Sequence, residues 1–541
     1  MWLVDEEDHR DYCQMFEMVN DKNPVPDGLN ILFEEQKKQL NTKSKNGHRW
    51  HPRIIKLCLE IYSRSPKTLQ VLRGFLVLPS DRIIRYYKNS IEEMPGWNAE
   101  VINWCRKEAE RRNLKEEDYW GGFLLDEMTI QEDLALIKKG GTTKLVGLVS
   151  LGQTNEDMKT LSTGKNEAEV ATHLLQFVFI SDSGFRFPIA HFPVKQTSPA
   201  ILYEKFWEGV LWMKIASFSI YWCICDGADV NRNFIRLHFP DNMENDKNYT
   251  TTNIHTGKPM IFMMDPKHNI KKIRNNISKS GSNKPRNLTV NGKAILWNHF
   301  TNAYKFDQTA MSLSLHERLT EEHFELSSSS KMRNHLAEDV LDSKMLYLMK
   351  AYRNTLKAPG EEETGQVCDS KIDATINLLE HTSNFVRLFN DNLEIRSTDD
   401  PRMRELDDFL RFIRNWKASC NTDKEFISSK LFFDLQCNIL GLKALVDFKL
   451  HKFPGKSIKP AIVNQDAVEN HFCQLRGCNQ QNDHPTYNLT RYSQTTVRFS
   501  QTVMSKKGNA GSVLKERDVC CLPNPHPFAK KKSSTLLSHS Q

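Results

Sequence analysis

Apolar residues first settle into a regular spacing near residue 47. In GHRWHPRIIKLCLEIYSRSPKTLQVLRGFLVLPSDRIIRYYKN, Ile54, Leu57, Cys58, Ile61 and Tyr62 recur at helical intervals. Ser65-Pro66 supplies a cap and a first-turn proline for a second helix ending near Gly74, and Pro79-Ser80-Asp81 opens a third. Arg82, Arg85 and Lys88 fall on one side of that third helix, beside Tyr86 and Tyr87. Three short helices closing on a basic one predict a helix-turn-helix unit with Arg82, Arg85 and Lys88 on DNA. A plain three-helix pack with a solvated basic face is the competing reading. Residues 1–45 are polar, broken by NPVPDG, with one helical stretch, LNILFEEQKKQL.

The spacing then changes to that of strands alternating with helices. GGFLLDEMTI reads as a strand, with KLVGLVSLG as its neighbour, and HLLQFVFISDSGFRFPIAHFPV as one long strand or a bent pair. Ser198-Pro199 opens a long apolar helix; SIYWCICDGADV is another buried strand, NRNFIRLHF the helix after it, and PMIFMMD a further strand. Strands covered on both faces read as continuous apolar runs, and ligands gather at their carboxyl ends. From about 270 to 455 the pattern is helical, interrupted by KAPGEEETGQVCDS, which reads as a disordered loop. After about 500 no apolar period remains.

Composition narrows the class. The 541 residues suffice for two to four domains, and 39% apolar with 26% charged residues predicts a soluble globular chain with polar inserts. A formal charge of +7 permits a polyanionic partner without requiring one. No run of 18 apolar residues occurs, so no membrane span is expected, and MWLVDEEDHRDY lacks the apolar core of a signal peptide. Twelve cysteines without a Cys-X-X-Cys pair read as reduced thiols, mostly buried. A zinc site from Cys473, Cys478 and His484 is the lesser alternative. Lys530, Lys531 and Lys532 are either a nuclear import signal or a solvated charge run.

Candidate chemistry lies in acids that end apolar runs. Asp126 closes the first strand and Asp226 a later one, while Asp466 and Glu469 of IVNQDAVENHFCQLR share a face of a predicted helix with Asn464 as its cap. Carboxylates converging from separate elements suit two hard divalent ions, Mg²⁺ or Mn²⁺, and phosphodiester chemistry. Two strand aspartates and a helix glutamate form the pattern of an RNase H-like core; a lone strand-end aspartate otherwise serves as a turn or cap residue. Asp265, with His268, reads first as the cap of the next helix.

Eight ordered blocks carry a resemblance that runs from about Arg49 to Thr490: RWHPRIIKLCLEIYSRSPKTLQVLR, LPSDRIIRYYKN, LLDEM, CDGADVNRNF, MDPKHNIKKIRNN, ILWNHF, LTEEHF with KMRNHLA, and NQDAVENHFCQLRG. In these the chain resembles the P-element and THAP-type DDE transposases. The resemblance implies an α/β, RNase H-like catalytic core interrupted by a large all-α insertion domain and preceded by a helix-turn-helix unit. It implies cut-and-paste DNA chemistry with Mg²⁺ (or Mn²⁺), with Asp126, Asp226 and Glu469 as catalytic and metal-binding residues. Boundaries follow as 1–45 polar segment, 46–115 helix-turn-helix region, 116–269 first part of the core, 270–457 insertion, 458–495 the glutamate helix and 496–541 disordered basic tail. DNA is the implied partner, a homo-oligomer the implied assembly and the nucleus the implied location.

Two departures from the family pattern stand out. The guanine-nucleotide residues of the insertion map to Arg318 for a lysine, Asn334 for an apolar residue, Asp342 for a serine, Glu394 for an aspartate and Ser397 for an asparagine; Asp466 alone is kept. Added acids near a phosphate weaken anion binding, so GTP affinity is expected to be weak or lost. The THAP zinc finger has no counterpart, since Cys13 alone precedes Cys58. Site-specific DNA reading would then fall to the 47–90 helices, a partner or sequence beyond this chain. The competing functional readings are a catalytically idle DNA-binding protein derived from a transposase, and an RNase H-type nuclease without strand transfer.

Overall fold

The structure, a computed structural model, describes residues 27–41, 49–88, 93–139, 142–152, 168–239, 249–309, 313–356, 372–479 and 481–500. The 357–370 loop apart from its flanks, and the lysines at 530–532, lie outside these residues. The chain divides into two compact units, with one boundary between residues 92 and 93.

The described helices of the smaller unit are α1 (Asp27–Leu40), α2 (Pro52–Arg64), α3 (Pro66–Leu72) and α4 (Asp81–Lys88). Each of the middle two starts as its sequence dictates: the Ser65 hydroxyl accepts from the Thr68 amide at 3.2 Å, and Pro52 and Pro66 occupy first-turn positions. Ile54, Cys58, Leu69 and Ile84 lose nearly all exposure to one another. Arg73 pins the turn before α4, donating to Pro79 O and pairing with Asp81 at 2.7 Å. Gln36 of α1 exchanges both its amide groups with the backbone of Val77.

The larger unit opens with α5 (Ala99–Arg111), then β1 (Trp120–Thr129), β2 (Ala135–Lys139), β3 (Thr142–Val146), β4 (His173–Ser181) and β5 (Arg186–Val194). Next come α6 (Pro199–Ile215), β6 (Ser219–Cys225), α7 (Asp229–Arg236), β7 (Thr250–Thr252), β8 (Pro259–Met264) and α8 (Pro266–Ser278). Six strands form one sheet in the order β5-β4-β1-β6-β8-β7, with β1, β6 and β8 parallel at its centre. Their apolar runs are buried because helices cover the sheet, as continuous hydrophobicity predicts.

Two expectations change in detail. The 173–194 segment is the bent pair, turning at Gly184, whose φ of 90° suits glycine. The expected neighbour of β1 is not KLVGLVSLG: Thr142–Val146 pairs only with β2 in a separate two-stranded sheet, while β4 and β6 flank β1. The reason is burial. Leu136 and Leu145 face each other across that hairpin and stay exposed, whereas β4 brings an unbroken apolar run.

The helical block contains α9 (Trp297–Thr309), α10 (Asn334–Leu341), α11 (Ser343–Thr355), α12 (Asp373–Asn390), α13 (Pro401–Ser419) and α14 (Ser429–Lys452). The LTEEHF and KMR stretches form short 3₁₀ turns between them. The last helix returns to the sheet and packs on β8 so closely that a Cβ on Gly441 would lie 2.4 Å from Phe262 O. After it, α15 (Asp466–Cys478) packs against β1 and β4. Among the described residues, no helix is long and apolar enough to cross a membrane.

Candidate active site

Strand register decides the geometry. Leu125 of β1 pairs with Cys225 of β6, which pairs in turn with Met264 of β8. The next residue in each case is an aspartate, so Asp126, Asp226 and Asp265 stand in one row; Asp126 does not close its strand as expected, because β1 stays paired with β4 as far as Thr129, whereas Asp226 and Asp265 follow directly on the ends of β6 and β8. The three aspartates ending apolar runs are therefore neighbours.

Their surroundings differ. Asp126 is half-buried and accepts the Glu127 amide at 2.8 Å. Burial, then the charge of Asp226, then that of Glu469 push its carboxyl up to about 8. Asp226 accepts the Ala228 amide at 3.0 Å and the Asn231 side chain at 2.6 Å, which fixes the loop after β6. Asp265 is buried and caps α8, as expected: it accepts the His268 amide at 2.8 Å and holds His268 Nδ1 at 2.6 Å. Burial opposes its ionisation, yet the bonds from His268 and Gln465 outweigh it and hold the carboxyl down at about 2.

Gln465 joins the glutamate helix to this row. Its backbone N–H donates to Asp265 Oδ1 at 3.1 Å and its side chain to Leu125 O at 2.9 Å. Asn464 does act at the helix start, accepting the Asp466 amide at 2.8 Å. Glu469 follows one turn on, within electrostatic reach of the aspartates; burial, then the charge of Asp265, raise its carboxyl. Across the site Lys271 is buried and its ammonium lowered by burial, against the pull of Glu469 and Asp265.

Bracing comes from a buried acid outside every motif and from two cations inside CDGADVNRNF and MDPKHNIKKIRNN. Asp434 of α14, fully buried, takes Arg232 at 2.7 and 2.8 Å and Lys272 at 2.8 Å, and Lys272 also donates to Gly227 O at 3.1 Å. The approach explains the glycine in CDGAD, because a Cβ on Gly227 would sit 1.8 Å from Lys272 Nζ. Arg232 and Asp434 are 202 residues apart, so nothing local marks them as partners. Gln465 and Lys267 stand inside NQDAVENHFCQLRG and MDPKHNIKKIRNN, yet nothing in the sequence marked either as part of the site.

The expected nucleotide residues are occupied elsewhere. Arg318 pairs with Asp339 at 3.5 Å, and Glu394 accepts from Ser457 at 2.9 Å while pairing with Arg396 and Lys459. Ser397 accepts the Asp399 amide, Asp342 caps α11 by accepting the Met345 amide, Asn334 is buried, and Asp466 pairs with Lys267 at 2.5 Å. In the smaller unit, Arg82 and Arg85 are exposed and Lys88 half-buried on α4, with Tyr86 74% exposed beside them. Arg85 Nε donates to the Tyr62 hydroxyl at 3.1 Å. Cys223 and Cys225 pack within β6, their thiols pushed up by burial.

Among the described residues, no three His, Cys, Asp or Glu side chains stand close enough to hold a metal ion, the Cys473, Cys478 and His484 set included. The donor chemistry of the aspartate row nevertheless fits a hard divalent cation. Asp126, Asp226 and Glu469 offer only carboxylate oxygens; burial first, and neighbouring acids second, raise the Asp126 and Glu469 carboxyls, and a cation would favour the ionised form of both.

Residues 93–238 match the family model described as TNP-like, RNase H N-terminal domain. The whole chain is similar in fold to a solved chain of the Drosophila P element transposase strand transfer complex, with a TM-score of 0.68 at 16% identity, over 90% of this chain and 98% of that one. The resemblance to P-element transposases stands. No curated protein matches. The family model ends at His238, before Asp265 and Glu469 enter the chain.

Proposed function

We propose that the chain is a P-element-like DDE transposase that cleaves and joins DNA strands at Asp126, Asp226 and Glu469 in the nucleus. What supports this most is the register: the carboxylates of Asp126 in β1 and Asp226 just past β6 follow paired residues of parallel strands, with the glutamate helix tied to the same row by Gln465. Asp126 and Asp226 would supply oxygens from the sheet and Glu469 from the helix to Mg²⁺ or Mn²⁺. A bound ion pair would activate the attacking oxygen and stabilise the leaving one. The chain's own part would be to carry the three carboxylates on neighbouring elements, with Gln465 tying the glutamate helix to the row. Asp265 stays outside that set, its oxygens committed to His268 and Gln465. Basic α4 would hold duplex DNA, in keeping with the strand transfer named in the description of the Drosophila complex. A homo-oligomer is part of the same proposal.

GTP is a poor fit by this reading, because Arg318 and Asp466 are already neutralised and Asn334 and Glu394 replace better phosphate-pocket residues. A second reading, an idle DNA-binding protein, is favoured by the open spacing of the acids, which form no closed metal cluster among the described residues. Incubation with Mn²⁺ and duplex DNA separates the two. Cleavage that disappears in Asp226→Asn supports chemistry; equal background in both supports the idle protein.

A further inference from the structure

Lys267 stands where a lysine is not expected. It is the second residue of α8, in a first turn where the helix dipole disfavours a cation, and its side chain is only 7% exposed. Local carboxylates hold it there. Its ammonium lies 2.5 Å from Asp466 Oδ2, with Glu338 of α10 and Asp265 also facing it, and Asp466 above all keeps it protonated against burial. Asp466 is the first residue of α15, one turn before Glu469 and on the same face. Its charge raises the Glu469 carboxyl.

Resting on the proposed function, we propose that Lys267 is a positioning residue for the carboxylate site: clamped to Asp466, it sets where the first turn of α15, and hence Glu469, meets Asp126 and Asp226. Bonds from Gln465 to Asp265 and to Leu125 also hold that turn and act on the residue just outside the helix, while Asn464 takes only the backbone amide of Asp466. Lys267 grips the first residue inside it. The clamp thus fixes rotation of the helix about its own axis, which decides whether Glu469 faces the aspartates. Neutralising Asp466 also removes like-charge repulsion along the face that carries Glu469.

Charge and position make opposite predictions, and that gives the test. On electrostatics alone, Lys267→Met removes a positive charge and tightens cation uptake, while Asp466→Asn removes a negative one and loosens it. A positioning role loosens uptake in both. Calorimetric titration of the full chain with Mn²⁺, without DNA, is expected to show about tenfold weaker binding in Lys267→Met and in Asp466→Asn, the usual cost of losing an outer-shell partner. Lys267→Arg should stay within about threefold of the wild type, and the swapped pair Lys267→Asp with Asp466→Lys should recover most of the loss. Equal or tighter uptake in Lys267→Met overturns the proposal. If that variant fails to fold, the swapped pair decides: no recovery relative to Asp466→Asn overturns it. Wild-type uptake that is absent, or unchanged by Asp226→Asn, instead overturns the proposed function and this inference with it.

Discussion

Replacing Asp126 by Asn gives the sharpest check on the geometry, because the site should be a liability when no cation is bound. The Asp126 carboxyl rises from an ordinary 3.8 to about 8 through burial and the charges of Asp226 and Glu469. An unfolded chain releases that proton near pH 4, and the folded chain keeps it until about pH 8. Between those values the folded state binds more protons, so stability falls as pH rises through the window. At about 1.4 kcal/mol per unit the ceiling is ~6 kcal/mol, and solvent reaching the half-buried carboxyl screens this to about 1–3 kcal/mol. Asp126→Asn escapes the cost. In EDTA it should melt roughly 2 °C above the wild type at pH 8, and the gain should shrink towards pH 4. Saturating Mn²⁺ should reverse the order, since an ion held only by the folded wild type stabilises it as RT ln(1 + [L]/Kd). A gain that does not change with pH, or Asp126→Asn less stable at pH 8 in EDTA, would refute the placement of these acids.

Other outcomes follow from the same structure. Asp434→Ala strands Arg232 and Lys272 without their shared carboxylate and should cost about 3–5 kcal/mol of stability in urea unfolding, whereas a cost below 1 kcal/mol would remove the brace from the account. Arg85→Ala should lower the salt slope of DNA binding by about one unit, read from affinities at several salt concentrations; an unchanged slope returns α4 to solvated surface. GTP with Mg²⁺ should give no saturable heat at micromolar concentrations, and a micromolar affinity would show that Arg318 and Asp466 leave their partners for the nucleotide. Extra volume at residue 441 should separate α14 from β8, so Gly441→Leu is expected to destabilise by about 1–3 kcal/mol by thermal melting.

Much of this molecule is written locally. Caps and first-turn prolines at Ser65-Pro66, Ser198-Pro199 and Asp265-Pro266 set helix starts that needed no tertiary help, and unbroken apolar runs marked β1, β6 and β8 as strands buried on both faces. Three aspartates at the ends of those runs were visible as candidates. Their being neighbours was not, because register and strand order are set by pairing between segments far apart in the chain. The same limit misplaced KLVGLVSLG, whose apolarity made a strand without saying which sheet it would join. It also hid Asp434, Arg232 and Lys267, polar residues whose sense comes only from a partner about 200 positions away. Sequence therefore determined which segments become helices and strands, since backbone preference and amphipathic period act over a few residues. Tertiary structure alone decided which charges meet, since a buried charge is tolerated only where the fold delivers its counter-charge within a few ångströms.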